Sequence, residues 1–402
     1  MPSVLPDGEP VPTTGELPAS ARSELAATPL SIYLHVPFCA TRCGYCDFNT
    51  YTANELQGTG TDDYLCAAHA EIDLARGVLG DGHPAASTVF FGGGTPTMLS
   101  GGELSGLLAH VRDAFGLEAD AEVTTEANPE TVTPELLDEL LAGGFTRISL
   151  GMQSARPHVL QVLERRHTPG RAVEAAKLAH AAGFGDVSLD LIYGTPGESL
   201  DDWRASLEAA LEAEPEHVSA YALIVEDGTR LAHQIRRGQL PMTDDDDLAD
   251  KYLLTEDVLT GAGFDAYEVS NWSRGPEHRA RHNMAYWLGD TWWGIGPGAH
   301  SHAGGVRWWN AKHPRSYAAA LAEGHSPGAG RELVSAEDRR IERVLLELRL
   351  SDGLPWEVLT DSELGRVPGF VERGLARITH ERMVLTLQGR LLADAVIRDL
   401  LD

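Results

Sequence analysis

From residue 31 to about 223 two patterns alternate along the chain. Short apolar or β-branched runs fall at 31–36, 87–91, 121–125, 146–151, 186–192 and 217–223. Between them, apolar residues three or four apart mark helices at 62–79, 101–114, 134–142, 171–182 and 199–213. Strand–helix alternation predicts a parallel sheet with crossover helices. Six such units form either an open doubly wound sheet or a partial barrel, and propensity does not choose between them. From about 240 the alternation fades. The stretch 267–310 is rich in Gly, His and Trp, with Trp272, Trp287, Trp292, Trp293, Trp308 and Trp309. From about 335 the pattern becomes helical, with an amphipathic stretch Glu337–Leu350. It then becomes hairpin-like over 383–393, with the turn expected at Gln388-Gly389. Helices followed by a hairpin read as a winged-helix-like module.

The first 29 residues carry Pro, Gly, Ser and Thr without periodicity and read as a disordered leader. The expected organisation is therefore a leader over 1–29, an α/β core over 30–235, a connecting region over 236–330 and a smaller, mostly helical domain over 331–402.

Composition narrows the function. The net charge of −28 excludes a general nucleic-acid binder, which needs basic surface. No run of 18 apolar residues is present, so no membrane span is expected. The opening Met-Pro-Ser-Val-Leu-Pro-Asp-Gly has neither a basic nor an apolar segment of a signal peptide. The acidic run Asp244–Asp247 reads as a helix start capped by Thr243, where carboxylates suit the dipole.

The chemistry is concentrated after the first predicted strand. Cys39, Cys43 and Cys46 lie in a C-x3-C-x2-C run, and Cys66 is the fourth of the four cysteines. Three thiolates can hold three corners of a [4Fe–4S] cube and leave one iron open for a small molecule. A structural zinc wants four ligands; Asp47 or His35 would have to supply the fourth. A disulfide leaves one of the three unpaired. Few cysteines and an oxygen-sensitive cluster motif both fit a reducing cytoplasm. Cys66, on a predicted helix, reads as a buried small hydrophobe.

Further motifs follow successive strands. Gly92-Gly93-Gly94-Thr95-Pro96 lets a ligand approach the backbone, and lacks the Gly-Lys-Ser/Thr that would make a phosphate loop. Thr125-Glu126-Ala127-Asn128-Pro129, Gly151-Met152-Gln153-Ser154 and Asp190 to Gly197 come next. Ligands bind at this carboxyl edge of parallel sheets. A cluster loop followed by a glycine loop fits a radical S-adenosylmethionine (SAM) enzyme.

The strings Tyr33-x-His35-x-Pro37-Phe38-Cys39-x3-Cys43-x-Tyr45-Cys46, Gly-Gly-Gly-Thr-Pro-Thr, Glu-Ala-Asn-Pro and Gly-x-Gln-Ser together resemble the oxygen-independent coproporphyrinogen III oxidase family over about residues 31–402. The resemblance implies a partial parallel (β/α)6 barrel, a [4Fe–4S] cluster on Cys39, Cys43 and Cys46, and SAM at its open iron. It places Tyr33, Gly93 and Glu126 at that SAM. Tyr45, Gly94, Thr95, Gln153, Arg165 and Asp190 correspond to a second SAM site of catalytic members. Those members have a further cysteine two positions after the third ligand; here it is Phe48. The chain thus looks like the sister branch of HemW-type heme chaperones. In that branch decarboxylation of coproporphyrinogen is not expected, and no catalytic residue is assigned. The run His282-Asn283-Met284-Ala285-Tyr286-Trp287 resembles that branch's heme-binding motif. His282 would be the axial ligand, Tyr286 and Trp287 would pack on the macrocycle, and Arg274, Arg279 and Arg281 would meet its propionates. His300 and His302 read as satisfied imidazoles in a Gly-rich turn. The implied partners are heme and heme-acceptor proteins, including membrane-bound ones touched peripherally. The alternative is the oxidase itself.

Overall fold

A computed structural model describes residues 8–56, 60–165 and 168–402. Six parallel strands form its centre: β1 (Leu30–Val36), β2 (Ala86–Gly93), β3 (Leu117–Ala127), β4 (Arg147–Gln153), β5 (Asp186–Tyr193) and β6 (His217–Ala222). They pair in chain order, each with the next. Helices Thr61–Leu79, Gly101–Phe115, Pro134–Gly143, Arg171–Ala182 and Leu200–Leu211 fill the crossovers, as their apolar periodicity predicts. Side-chain caps start several of them; Ser100 and Glu103 form one capping box, and Ser199 and Asp202 another.

Alternation along the strands separates two environments. Ile32, Leu34, Val36, Val89, Phe91, Ile148, Leu150, Val187 and Leu189 point outward into the main hydrophobic core, beneath the helices. The opposite face turns Ser31, Tyr33, His35, Thr88, Glu126, Ser149, Asp190 and His217 toward one another, so the interior is polar.

The sheet does not stop at 223. The region expected to be a connector adds β7 (Asp265–Ala266), β8 (Asn271–Ser273), β9 (Thr291–Ile295), β10 (His300–Ala303), β11 (Val306–Asn310) and β12 (Gly328–Leu333). The order is β12-β11-β10-β9-β1-β2-β3-β4-β5-β6-β8-β7, with ends that do not meet. β9 runs parallel to β1, while β8 runs antiparallel to β6. This answers the choice propensity left open: the sheet is a curved, unclosed barrel.

A second hydrophobic cluster, including Val344, Leu348, Leu354, Phe370, Met383 and Leu400, belongs to the C-terminal part. There β13 (Leu354–Pro355), β14 (Ala376–Thr379) and β15 (Arg382–Leu385) form a sheet in the order β13-β15-β14. With helices Ala336–Glu347 and Asp361–Glu372 in front of the hairpin, this is a winged-helix order of elements.

Four expectations need correction. The hairpin turn is at His380-Glu381, both at positive φ, and Gln388-Gly389 lies inside the short helix Leu387–Leu391. Asp244, not Thr243, caps the helix Asp245–Gly261 by accepting from the Asp247 N–H. Cys66 is on a helix but exposed. The leader is not disordered where it is described: Glu9 bridges to Arg331, Ala19–Glu24 is helical, and Leu17, Ala21 and Leu25 are buried in the main core. Three well-spaced apolar residues anchored it, too few to register as a period. Residues 1–7 lie outside the described part.

Candidate functional site

The barrel's two ends differ in chemistry. At the mouth, β1 runs into the cysteine loop. Cys39 N–H donates to Tyr51 O at 3.0 Å and Tyr51 N–H to Pro37 O at 2.7 Å, closing the loop on itself. The glycines of β2 press against it. A Cβ on Gly94 would lie 2.5 Å from the Phe38 carbonyl oxygen, and one on Gly93 2.6 Å from the His35 ring. Gly93 also has φ +110°, so glycine is required there twice over. Gly94 N–H donates to Val36 O at 2.8 Å and Thr95 N–H to Phe38 O at 2.7 Å. These donors are committed to holding the cysteine loop. An ammonium group recruits acceptors instead, so it does not compete for them.

His35 Nε2 meets the Asn49 carbonyl at 2.9 Å, so Nε2 carries the proton. Its Nδ1 therefore accepts from Tyr33 Oη at 3.0 Å. Burial lowers the His35 pKa to about 4, keeping it neutral. With both nitrogens engaged, His35 is not a fourth ligand for the cysteines.

The three thiols are free and half-buried. Burial, then the neighbouring cysteine charges, pushes Cys46 up to about 11, and burial also raises Cys39. The thiols thus lie near enough to repel as thiolates. Yet among the described residues no three His, Cys, Asp or Glu side chains converge to hold one ion. Zinc needs its ligands around a single point; a cube takes each thiolate on a different iron. The donor set fits the cube.

Arg165 bridges this loop to β4: Nη1 reaches Cys43 Sγ at 3.7 Å and Nη2 donates to Gly151 O at 2.9 Å. Its Nε has no hydrogen-bond partner among the described residues. Gln153 ends β4 with φ +64°, an uncommon conformation for a residue with a side chain, where the pairing with β5 shifts register. Glu126 Oε2 accepts from Gly93 N–H at 3.0 Å. Burial first, then the Asp190 charge, raises Glu126 to about 8. Asp190 is itself raised by burial and accepts from Ser149 Oγ at 2.9 and 3.0 Å. Tyr45 packs on the apolar group of Val159, Leu163, Ile192, Leu223 and Leu231. The mouth therefore collects three soft ligands, two carboxyl groups held above their usual range and a partly unpaired guanidinium. Such a site suits a ligand with a cation and hydroxyl groups.

The floor is the opposite. Glu122 of β3 accepts from the backbone N–H of Arg281 at 3.0 Å and of His282 at 2.9 Å, capping the helix Arg281–Leu288. Arg147 of β4 donates twice to His278 O at 3.1 Å and lies 3.8 Å from Glu122 and 3.5 Å from Asp186. His278 Nδ1 is 2.6 Å from Asp186. His282 is 2% exposed. Its Nδ1 meets Thr88 Oγ1 at 2.7 Å and its Nε2 meets Tyr286 Oη at 2.9 Å. Its ring stacks on Phe90 with centroids 5.1 Å apart, and burial lowers its pKa to about 3. The motif expected to face a macrocycle thus plugs the barrel. Asn283 donates to Glu268 at 3.3 Å, Tyr286 is edge-on to Trp292, and Trp287 is half-buried. The three arginines are also engaged: Arg274 over Phe264, Arg279 with Asp352, and Arg281 with Asp120. His302 Nδ1 donates to Asp290 O at 2.9 Å, but His300 Nε2 has no partner among the described residues, so only one of that pair is satisfied.

No motif in the sequence marks Thr88, Glu122, Arg147 or His278; for the first three, a polar residue at an inward position of an apolar strand run is the available signal.

An unclosed parallel barrel with three cysteines on its first loop is the frame of the radical SAM proteins, and residues 33–210 match the Radical SAM superfamily. The likeness extends to the whole chain. It is 53% identical over 386 residues to the heme chaperone HemW of Mycobacterium tuberculosis, covering 96% of this chain and 98% of that one. It is 31% identical to the heme chaperone HemW of Bacillus subtilis, covering 91% and 97%. The chain belongs to the HemW heme-chaperone family of radical SAM proteins. Its fold is shared by the solved coproporphyrinogen III oxidase (HemN) of Escherichia coli, with a TM-score of 0.81 and 24% identity over 94% of this chain and 92% of that one. No helix among the described residues is long and apolar enough to cross a membrane.

Proposed function

We propose that this chain binds heme and passes it to acceptor proteins, on a scaffold that carries a [4Fe–4S] cluster with SAM at its open iron. The end-to-end identity with the mycobacterial heme chaperone carries this reading. Phe48, half exposed at the position where catalytic oxidases resemble a fourth cysteine, supports it. Cys39, Cys43 and Cys46 would hold the cluster. Tyr33, Gly93 and Glu126 would line the first SAM. Tyr45, Gly94, Thr95, Gln153, Arg165 and Asp190 would line a second. Cluster and SAM together supply one-electron reductive cleavage of a sulfonium. The protein's own part at the mouth is to exclude water, to orient the ligand against Gly93 and to offer Glu126, whose proton leaves as a cation arrives. Heme would be taken at the His282 motif, in the reducing cytoplasm, for acceptors that include membrane-bound ones.

The test is anaerobic reconstitution with iron and sulfide, then heme titration and an assay for coproporphyrinogen loss. Heme absorption without coproporphyrinogen loss is expected. Turnover of coproporphyrinogen would return the oxidase reading. Cys66→Ser should retain about four irons per chain, as one cube requires, whereas Cys43→Ser should lose them.

A further inference from the structure

The heme reading places the axial ligand on His282, yet this imidazole has no free nitrogen. Thr88 Oγ1 also lies 2.9 Å from Ser31 Oγ and donates to it. Thr88 is then an acceptor toward His282, so His282 Nδ1 carries the proton. That leaves Nε2 as the lone-pair nitrogen, and Tyr286 Oη, 2.9 Å away, donates into it. The Nε2 lone pair that iron needs is therefore already occupied. It is also walled in: Phe90 stacks on one side and Tyr33 lies with its ring centroid 6.3 Å away.

The segment that carries His282 is built as a strap. Gly275, at φ +87°, precedes it, and Gly289, at φ +70°, ends the helix Arg281–Leu288. Between them the strap is held from three sides. Glu122 caps the helix with two hydrogen bonds, and Arg147 holds His278 O. From the C-terminal domain, Asp352 pairs with Arg279 at 3.1 Å and Ser351 accepts from it at 3.2 Å.

We infer that Thr88 and Tyr286 are positioning residues that keep His282 masked as a neutral imidazole, and that the strap from Gly275 to Gly289 must lift from the barrel floor before heme iron reaches Nε2. This rests on the proposed heme function and adds a regulation of the same site. Tyr33 joins this site to the mouth: its ring centroid lies 6.3 Å from that of His282, and its Oη donates to His35 Nδ1 at 3.0 Å. Lifting the strap would therefore couple heme loading to what occupies the mouth.

The experiment is heme titration of the cluster-loaded protein, read by Soret absorption, stopped-flow association and hydrogen exchange of the 276–289 segment. Heme binding should raise exchange at the Arg281 and His282 amides, which Glu122 protects in the closed form. Tyr286→Phe and Thr88→Val should bind heme roughly fivefold to tenfold faster with the same Soret position, because the competent state becomes a larger fraction. Circular dichroism of each variant separates this from misfolding. If 276–289 stays equally protected with heme coordinated, or if Tyr286→Phe binds more slowly, the masking inference falls. An unchanged Soret band in His282→Ala also overturns it, while leaving heme binding itself intact. Absence of any heme spectrum sinks both readings.

Discussion

The mouth and the floor of this barrel are lined from the same sheet, yet their polar groups are committed to different degrees. At the floor Glu122, Arg147, Asp186, His278 and His282 are all engaged, and Thr124 Oγ1, level with Arg147 in the β3–β4 pairing, is the floor atom without a partner among the described residues. At the mouth Arg165 Nε has no hydrogen-bond partner among the described residues, Gln153 sits at positive φ, and Glu126 is lifted to about 8. Buried polar groups in proteins are normally bonded, so uncommitted ones in a cleft mark the place where a ligand completes the structure. The difference separates stability from ligand binding within one fold. It also accounts for the satisfied state of the His282 ring, whose two nitrogens are taken by Thr88 and Tyr286 at the more committed end.

The comparison is broken most directly at the floor. Arg147 is 2% exposed, so Arg147→Ala should leave two carboxylates facing the interior and cost about 3–5 kcal/mol by urea unfolding. A loss below about 1 kcal/mol would mean that the floor is no more committed than the surface. Removing the leader through Leu25 is the next largest perturbation. It exposes the pocket filled by Leu17, Ala21 and Leu25 and should cost roughly 2–4 kcal/mol, given the transfer energy of such side chains. Proteolysis should correspondingly spare the segment after residue 8.

At the mouth the effects should appear in binding rather than folding. Glu126→Ala should weaken SAM affinity by roughly 1–3 kcal/mol by calorimetry, the cost of unpaired partners, while cluster iron stays unchanged. Unaltered affinity would remove Glu126 from the site. The same carboxyl predicts a pH effect. Its folded pKa lies above the unfolded value, so its contribution to stability is full below the ordinary carboxylate range and is lost as pH rises through about 8. Ligand-free Glu126→Gln should therefore melt a few degrees above the parent at pH 8.5 and level with it at pH 4. Equal melting at both would show that Glu126 is already solvated. The smallest expected effect is Cys66→Ser, which should change neither melting nor iron content because the thiol is exposed and far along the chain from the cluster loop.

Much of this molecule was legible along the chain. The six parallel strands and five crossover helices fall within a few residues of the runs that predicted them, because a strand buried under helices and a helix with one apolar stripe each leave a local period. The cysteine loop was legible because Cys39, Cys43 and Cys46 lie within eight residues of continuous chain. What the local pattern did not contain was partnership. Whether β9 joins β1, whether Leu17 finds a core, whether Cys66 faces water and which way the sheet curves are settled by contacts between segments far apart in sequence. His282 shows this most clearly. Its neighbours in sequence prompt the expectation of a heme contact, whereas Thr88 and Glu122, more than a hundred residues earlier, take up its ring and its amide. Residue types and short-range periodicity determined the kind of chemistry this chain holds. Only the tertiary structure decided which of those groups stand open and which are already satisfied, because a hydrogen bond is made by proximity and not by sequence distance.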